Sequence, residues 1–161
     1  MKSNLEIDEM ATQALERSVE VLDKKWIQKH WYTQVVYDEK YDSSYTHFID
    51  ERLNRSDYIF ENEEFDGACL VGGVDHSVWF IANANKLNLI DYCSLQRTVY
   101  NRIWDTLVEQ YPEFFSPIST FYNTFYSSIH EERIGTMVNW NDYDGRQKDD
   151  VITVLDKASK K

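Results

Sequence analysis

The stretch Met137–Ala158, MVNWNDYDGRQKDDVITVLDKA, joins an apolar lead-in to a tight polar turn and then to an amphipathic helical pattern near the end of the chain. In the second half Val151, Val154, Leu155 and Ala158 recur at the three- and four-residue spacing of one helix face. Asp149 and Asp150 stand early and Lys157, Lys160 and Lys161 late, each sign matched to the helix dipole. Asp142 or Asp144 is the expected cap of this helix, and Gly145 supports the turn before it. The turn itself, Trp140-Asn141-Asp142, admits two readings. In one, Trp140 fills the core while Asn141 and Asp142 bond to backbone and start the helix. In the other, Asn141 and Asp142 form the lip of a pocket, with Arg146 as counter-charge. The first is favoured, because capping needs only local geometry.

Working outward from that clasp, Pro117 opens a pattern from Ser116 to Ile129 in which Ile118, Phe121, Tyr122, Phe125 and Ile129 keep helical spacing. Upstream, Leu95, Val99, Ile103, Leu107 and Tyr111 mark a helix over 94–111, with Ser94 as its N-cap and Pro112 as its stop. A first helix over 4–29 carries Ile7, Met10, Ala11, Ala14, Ser18, Val21, Leu22 and Lys25 on one face. Ser3 and Glu6 have capping-box spacing, and Trp26 and Trp31 close the segment as packing anchors. The run Ala68–Val74, ACLVGGV, is compatible with a buried strand and with a tightly packed helix turn. Gly72 and Gly73 within it would let a backbone or a ligand approach closely. The pair fits neither phosphate-cradling glycine motif.

Residues 32–66 differ from the rest. Between Asp38 and Asp66 ten acids face three bases, leaving −7 of the whole net charge of −11 in this one segment. Eight aromatic residues are interleaved over 32–66, and Thr46 to Asn54 is expected to form a short helix with Phe48, Ile49 and Leu53 inward. Long excursions of this kind in a small domain are usually functional. Tyrosine offers rigid contact area and acids offer complementarity to a basic surface.

Cys69-Leu70-Val71-Gly72-Gly73-Val74 resembles a C-A-L-G-A-L-like run, and Trp140-Asn141-Asp142-Tyr143-Asp144-Gly145-Arg146 followed by a helix resembles W-N-D-x-x-G-R plus helix. Together they resemble a small-domain family of unknown function found in bacterial and phage genomes. An N-terminal helix ending near Trp26 fits that pattern, whereas Ala68 stands where the family usually has Trp. The resemblance implies a fold and a phage context, and brings no activity, cofactor or site residue.

At 161 residues and 42% hydrophobic content the chain is long enough to bury one core as a single domain over 1–161. Five Gly and two Pro disfavour a turn-rich all-β fold. The expected fold class is therefore mainly α: about five helices around an aromatic core, with irregular or short β elements between residues 33 and 92. Cys69 and Cys93 form no metal or disulfide pattern and are expected to be buried, reduced thiols. The segment MKSNLEIDEM lacks the apolar core of a signal peptide, so a cytoplasmic protein is expected. Net charge excludes nucleic-acid backbone as a partner, and no run has the length of a membrane span.

No catalytic residue, metal site or cofactor is assigned. His130-Glu131-Glu132 is followed by Arg133-Ile134, not by the histidine of a zinc protease helix. No G-x-S-x-G motif is present, and Cys69 lies in an apolar run where a thiol is inert packing. The first expectation is a non-enzymatic acidic protein that occupies and neutralises a partner, as a phage-encoded inhibitor of a host system or an immunity-type protein would. Its contact residues would be Tyr41, Tyr45, Asp57, Tyr58, Glu61, Glu63 and Glu64, and its partner a basic protein surface. The alternative is a small-molecule binding module with a pocket between Gly72, Gly73 and the turn of Trp140, Asn141, Asp142 and Arg146. A structural part of a virion or other assembly is a further alternative, and the oligomeric state is left open.

Overall fold

The computed structural model describes residues 1–49, 65–115 and 129–161. Helix α1, Asn4–Lys25, begins as its sequence requires: Glu6 N–H donates to the Ser3 hydroxyl at 3.3 Å while Ser3 N–H donates to the Glu6 carboxylate at 2.9 Å. Ile7, Met10, Ala11, Ala14, Leu15, Ser18 and Leu22 are buried along one face. The chain leaves the helix at Trp26, four residues before the expected end.

Strand β1, Tyr32–Asp38, pairs antiparallel with β2, Ser43–Ile49, in register from Tyr32 opposite Ile49 to Asp38 opposite Ser43. The two-residue strand β3, Gly67–Ala68, pairs with β1 on its other side, giving the order β2-β1-β3. The expected helix from Thr46 is overturned over Thr46–Ile49, which is strand. Three apolar residues at helical spacing are outweighed here by a run of β-branched and aromatic residues with a partner strand four residues away.

Helix α2, Leu70–Ala84, settles the ambiguous apolar run. Its first nine residues, Leu70 to Val78, are all buried. A helix surrounded by protein shows no apolar stripe, which is why periodicity could not identify it. Helix α3, Leu89–Gln110, starts five residues before the expected cap. Asn88 is the N-cap, accepting from Asp91 N–H at 2.9 Å, and Ser94 instead bonds back to the Ile90 carbonyl inside the helix. Leu95, Val99, Ile103 and Leu107 are buried as expected, whereas Cys93 is exposed and not a core thiol.

Helix α4, Ile129–Asn141, buries Ile134, Met137, Trp140 and Asn141. The pattern expected as a helix over 116–129 lies outside the described residues except at Ile129, where α4 begins. Helix α5, Lys148–Ser159, buries Val151, Val154, Leu155 and Ala158. Its cap is Gln147, whose N–H donates to Asp150 at 2.9 Å, not Asp142 or Asp144. The described chain is thus mainly α, with five helices and one small sheet among the described residues. Helix α1 is central, packing on α2, α3 and α5.

Two glycines set close approaches. A Cβ on Gly73 would lie 2.6 to 2.9 Å from three side-chain atoms of Leu22, so α2 and α1 meet there without room for a methyl group. A Cβ on Gly67 would meet Thr33 Oγ1 at 2.6 Å and Ile27 Cγ2 at 2.7 Å, so β3 is held against β1 by the same device.

Candidate functional site

Asn141 is fully buried at the end of α4. Its side-chain oxygen accepts from Trp26 Nε1 at 2.8 Å and from Leu70 N–H at 3.2 Å. Both partners are donors only, which orients the amide: its oxygen must face them. Leu70 is the first residue of α2, so Asn141 satisfies one of the free N–H groups at that helix start. Beside it Cys69, the N-cap, accepts weakly from Gly72 N–H through sulfur at 3.4 Å. The amide nitrogen of Asn141 donates to Asp142 Oδ1 at 2.8 Å and to the Ile27 carbonyl at 3.5 Å.

Asp142 Oδ1 also accepts from Lys29 N–H at 2.8 Å. Lys29 has φ 70°, a left-handed conformation uncommon for a residue with a side chain, and this bond helps hold it. Gln28 Nε2 donates to the carbonyls of Asn141 at 2.7 Å and Tyr143 at 3.1 Å, covering acceptors that the end of α4 leaves open. The Trp-Asn-Asp turn therefore ties the end of α1, the start of α2 and the end of α4 into one hydrogen-bonded knot. The helix that Asn141 caps is α2, far upstream, not the one that follows it.

Arg146 is 8% exposed. Its guanidinium carbon lies 3.9 Å from the centre of the Trp140 ring and 4.7 Å from that of Tyr111, while Nε donates to the Trp140 carbonyl at 3.2 Å. Asp150 stands 3.7 Å away as its ion-pair partner. The charge is held by aromatic faces and a carboxylate of its own helix region, and so points inward.

Gly72, Gly73, Trp140, Asn141, Asp142 and Arg146 thus lie in one neighbourhood or packed beside it; the Asn141 side chain is engaged with Trp26, Leu70 and Asp142, Arg146 with the Trp140 carbonyl, and the space at Gly73 is filled by Leu22, while Trp140 Nε1 is buried with no hydrogen-bond partner among the described residues. Three clefts of the described surface lie elsewhere. Burial pushes the Cys69 thiol up to about 12, so it stays protonated at neutral pH and is no nucleophile.

The acidic side of the molecule presents a different surface. The end of β1 exposes Tyr37 by 57% and the turn joining it to β2 exposes Tyr41 by 67%, with Glu39 and Asp42 exposed beside them. Tyr37 hydroxyl donates to the Asp42 carboxylate, and Lys40 Nζ lies 4.9 Å from the centre of the Tyr41 ring. Tyr45 falls on β2, while Asp57, Tyr58, Glu61, Glu63 and Glu64 lie outside the described residues. Tyr37 was not among the expected contact residues. Its alternation with Tyr41 across a short turn becomes legible only once the hairpin is known.

Among the described residues no group of three or more His, Cys, Asp or Glu is placed to hold a metal ion, and no helix is long and apolar enough to cross a membrane. No curated protein and no solved structure matches this chain. A family model covers residues 7–161, nearly the whole sequence, and the chain belongs to that family of unknown function, DUF6197.

Proposed function

We propose that this chain is a non-enzymatic binding protein that grips a basic protein surface with its acidic, tyrosine-bearing β1–β2 hairpin and thereby neutralises its partner. The observation that carries the reading is the pair of large rings, Tyr37 and Tyr41, standing exposed among Glu39 and Asp42. Exposed tyrosine clustered with acid is costly to leave in water and well suited to an interface: the rings bury area at low entropic cost, and the acids steer and orient a cationic partner. The acidic sequence over 38–66 extends the same chemistry. An inhibitor of a host system, or an immunity-type protein against a basic toxin, would work this way by occupying its target.

The test is a capture from native-host lysate, read by mass spectrometry, with wild type beside a Tyr37→Ser/Tyr41→Ser variant and a Glu61→Lys/Glu63→Lys/Glu64→Lys variant. A basic protein held by wild type, released by raised salt and lost from both folded variants supports the reading. The same proteins recovered with all three baits refute it.

A further inference from the structure

Beside α1 a cleft of about 230 Å³ is lined by Arg17, Glu20, Lys24, Lys25, Phe65 and His76. Among the described lining residues three cations stand against one carboxylate, in a chain whose net charge is −11. Elsewhere the cations are mostly committed: Lys2 to Glu6, Arg102 to Asp8, Arg146 to Asp150, Lys148 to Asp23 and Lys161 to Glu109. Arg17, Lys24 and Lys25 form no ion pair with any described residue.

The groups are also held in place. The Arg17 guanidinium carbon lies 3.5 Å from the centre of the Phe80 ring, and Arg17 Nε is buried with no hydrogen-bond partner among the described residues. Lys25 Nζ donates to the Phe65 carbonyl at 2.6 Å and lies 4.7 Å from the centre of that ring. Phe65 in turn meets the His76 ring edge-on, with centroids 4.9 Å apart. Placing three cations along one cleft with a single described carboxylate among them is unfavourable in the absence of an anion.

We infer that this cleft binds a compact phosphate monoester, its dianion held by Arg17, Lys24 and Lys25 and its organic part against Phe65. A guanidinium and two ammonium groups suit an oxyanion with several acceptor oxygens. The net positive charge of the described lining favours a dianion over a monoanion. The volume accommodates a phosphate with a small organic group.

Isothermal titration at pH 7.5 with inorganic phosphate and with phenyl phosphate tests this on the full chain. The expected result is saturable one-to-one binding of phenyl phosphate, weaker binding of inorganic phosphate, and an affinity loss of about tenfold or more in Lys24→Gln and in Arg17→Gln. Lys24 is exposed, so Lys24→Gln keeps the fold and guards against a trivial loss. Equal affinity for the two probes would leave the site a bare oxyanion site and overturn the assignment of a monoester. Absence of saturation, or binding unchanged in both variants, overturns the site altogether.

Discussion

Replacing Asn141 by Asp changes one nitrogen to oxygen at the centre of the knot, and its effect on stability should depend on pH in a way that Asn141→Ala does not share. In the native protein the Asn141 amide nitrogen donates to Asp142 Oδ1 over 2.8 Å. In Asn141→Asp two carboxylates face each other instead. Two charges about 4 Å apart at an effective dielectric near 20 repel by about 4 kcal/mol. The pair relieves this by taking up a shared proton, so its upper apparent pKa rises by about 3 units above an ordinary carboxylate. A folded-state pKa that is raised penalises the fold above that pKa, and the penalty disappears as pH falls to the unfolded value. The expected cost is therefore about 4 kcal/mol at pH 8 and about 1.5 kcal/mol at pH 5. Asn141→Ala leaves Trp26 Nε1 and Leu70 N–H without their acceptor, which costs about 3 kcal/mol in total and is flat with pH. Urea unfolding of both variants and wild type at pH 5 and pH 8 measures the difference. Equal losses for Asn141→Asp at the two pH values, or a loss below about 1 kcal/mol for Asn141→Ala, would refute the assignment of Asn141 as the buried junction of three helices.

Three further outcomes are expected. Burial first, then Arg17 and Lys25, pull the His76 imidazole down to about 4 from an ordinary 6.5. Above pH 6.5 it is neutral folded and unfolded; as pH falls the unfolded chain takes the proton first, so about 2 kcal/mol of stability should vanish between pH 7 and pH 4.5 and be retained in His76→Gln relative to its own value at pH 7. A pH dependence identical in both proteins counts against a buried neutral His76. Gly73→Ala should destabilise by about 1–3 kcal/mol, because its methyl group meets Leu22, and the loss should shrink in a Leu22→Ala background; a stabilised Gly73→Ala denies the close approach. Finally, a thiol reagent should modify exposed Cys93 quickly and buried Cys69 only at the rate of unfolding, so two fast thiols would contradict the burial of Cys69.

How much of this was legible follows from whether each element answers to local or to distant residues. Helix α1 was readable because its cap and its apolar stripe are both local: Ser3, Glu6 and the spacing from Ile7 to Leu22 decide it. Helix α5 was readable in its buried face for the same reason, though not in its cap. Helix α2 was not, because its first nine residues are all buried and carry no stripe. The strand over Thr46–Ile49 was missed because its stability comes from pairing with β1, a tertiary fact. The Trp-Asn-Asp turn was expected to cap the helix that follows it, but the helix start Asn141 serves is that of α2. Asn141 lies seven residues before the first residue of α5 and 71 residues after Leu70, and only the fold brings Leu70 to it. The cationic cleft was likewise invisible, since Arg17 and Lys24 share a helix face but His76 and Phe65 come from other segments.

The cleft and the core of the fold are tied through a single contact. On α2, Gly73 and His76 are three residues apart and so lie on one face; on α1, Leu22 and Lys25 are three apart and do likewise. Leu22 against Gly73 sets how closely the two helices approach, and His76 with Lys25 forms part of the cleft one turn farther along. The separation of the cations from the far wall is thus set by a glycine that touches no ligand. A phosphate held by charges on α1, with its organic part against Phe65, which packs on His76 of α2, gains only if that spacing is kept, since an added ångström already weakens charge and contact. Gly73→Ala should therefore lose phenyl phosphate affinity together with stability, whereas Lys24→Gln should lose affinity and leave stability within about 0.5 kcal/mol of wild type. If Gly73→Ala binds phenyl phosphate as wild type does while being destabilised, the spacing of α1 and α2 does not govern the cleft, and the site must be formed by α1 alone.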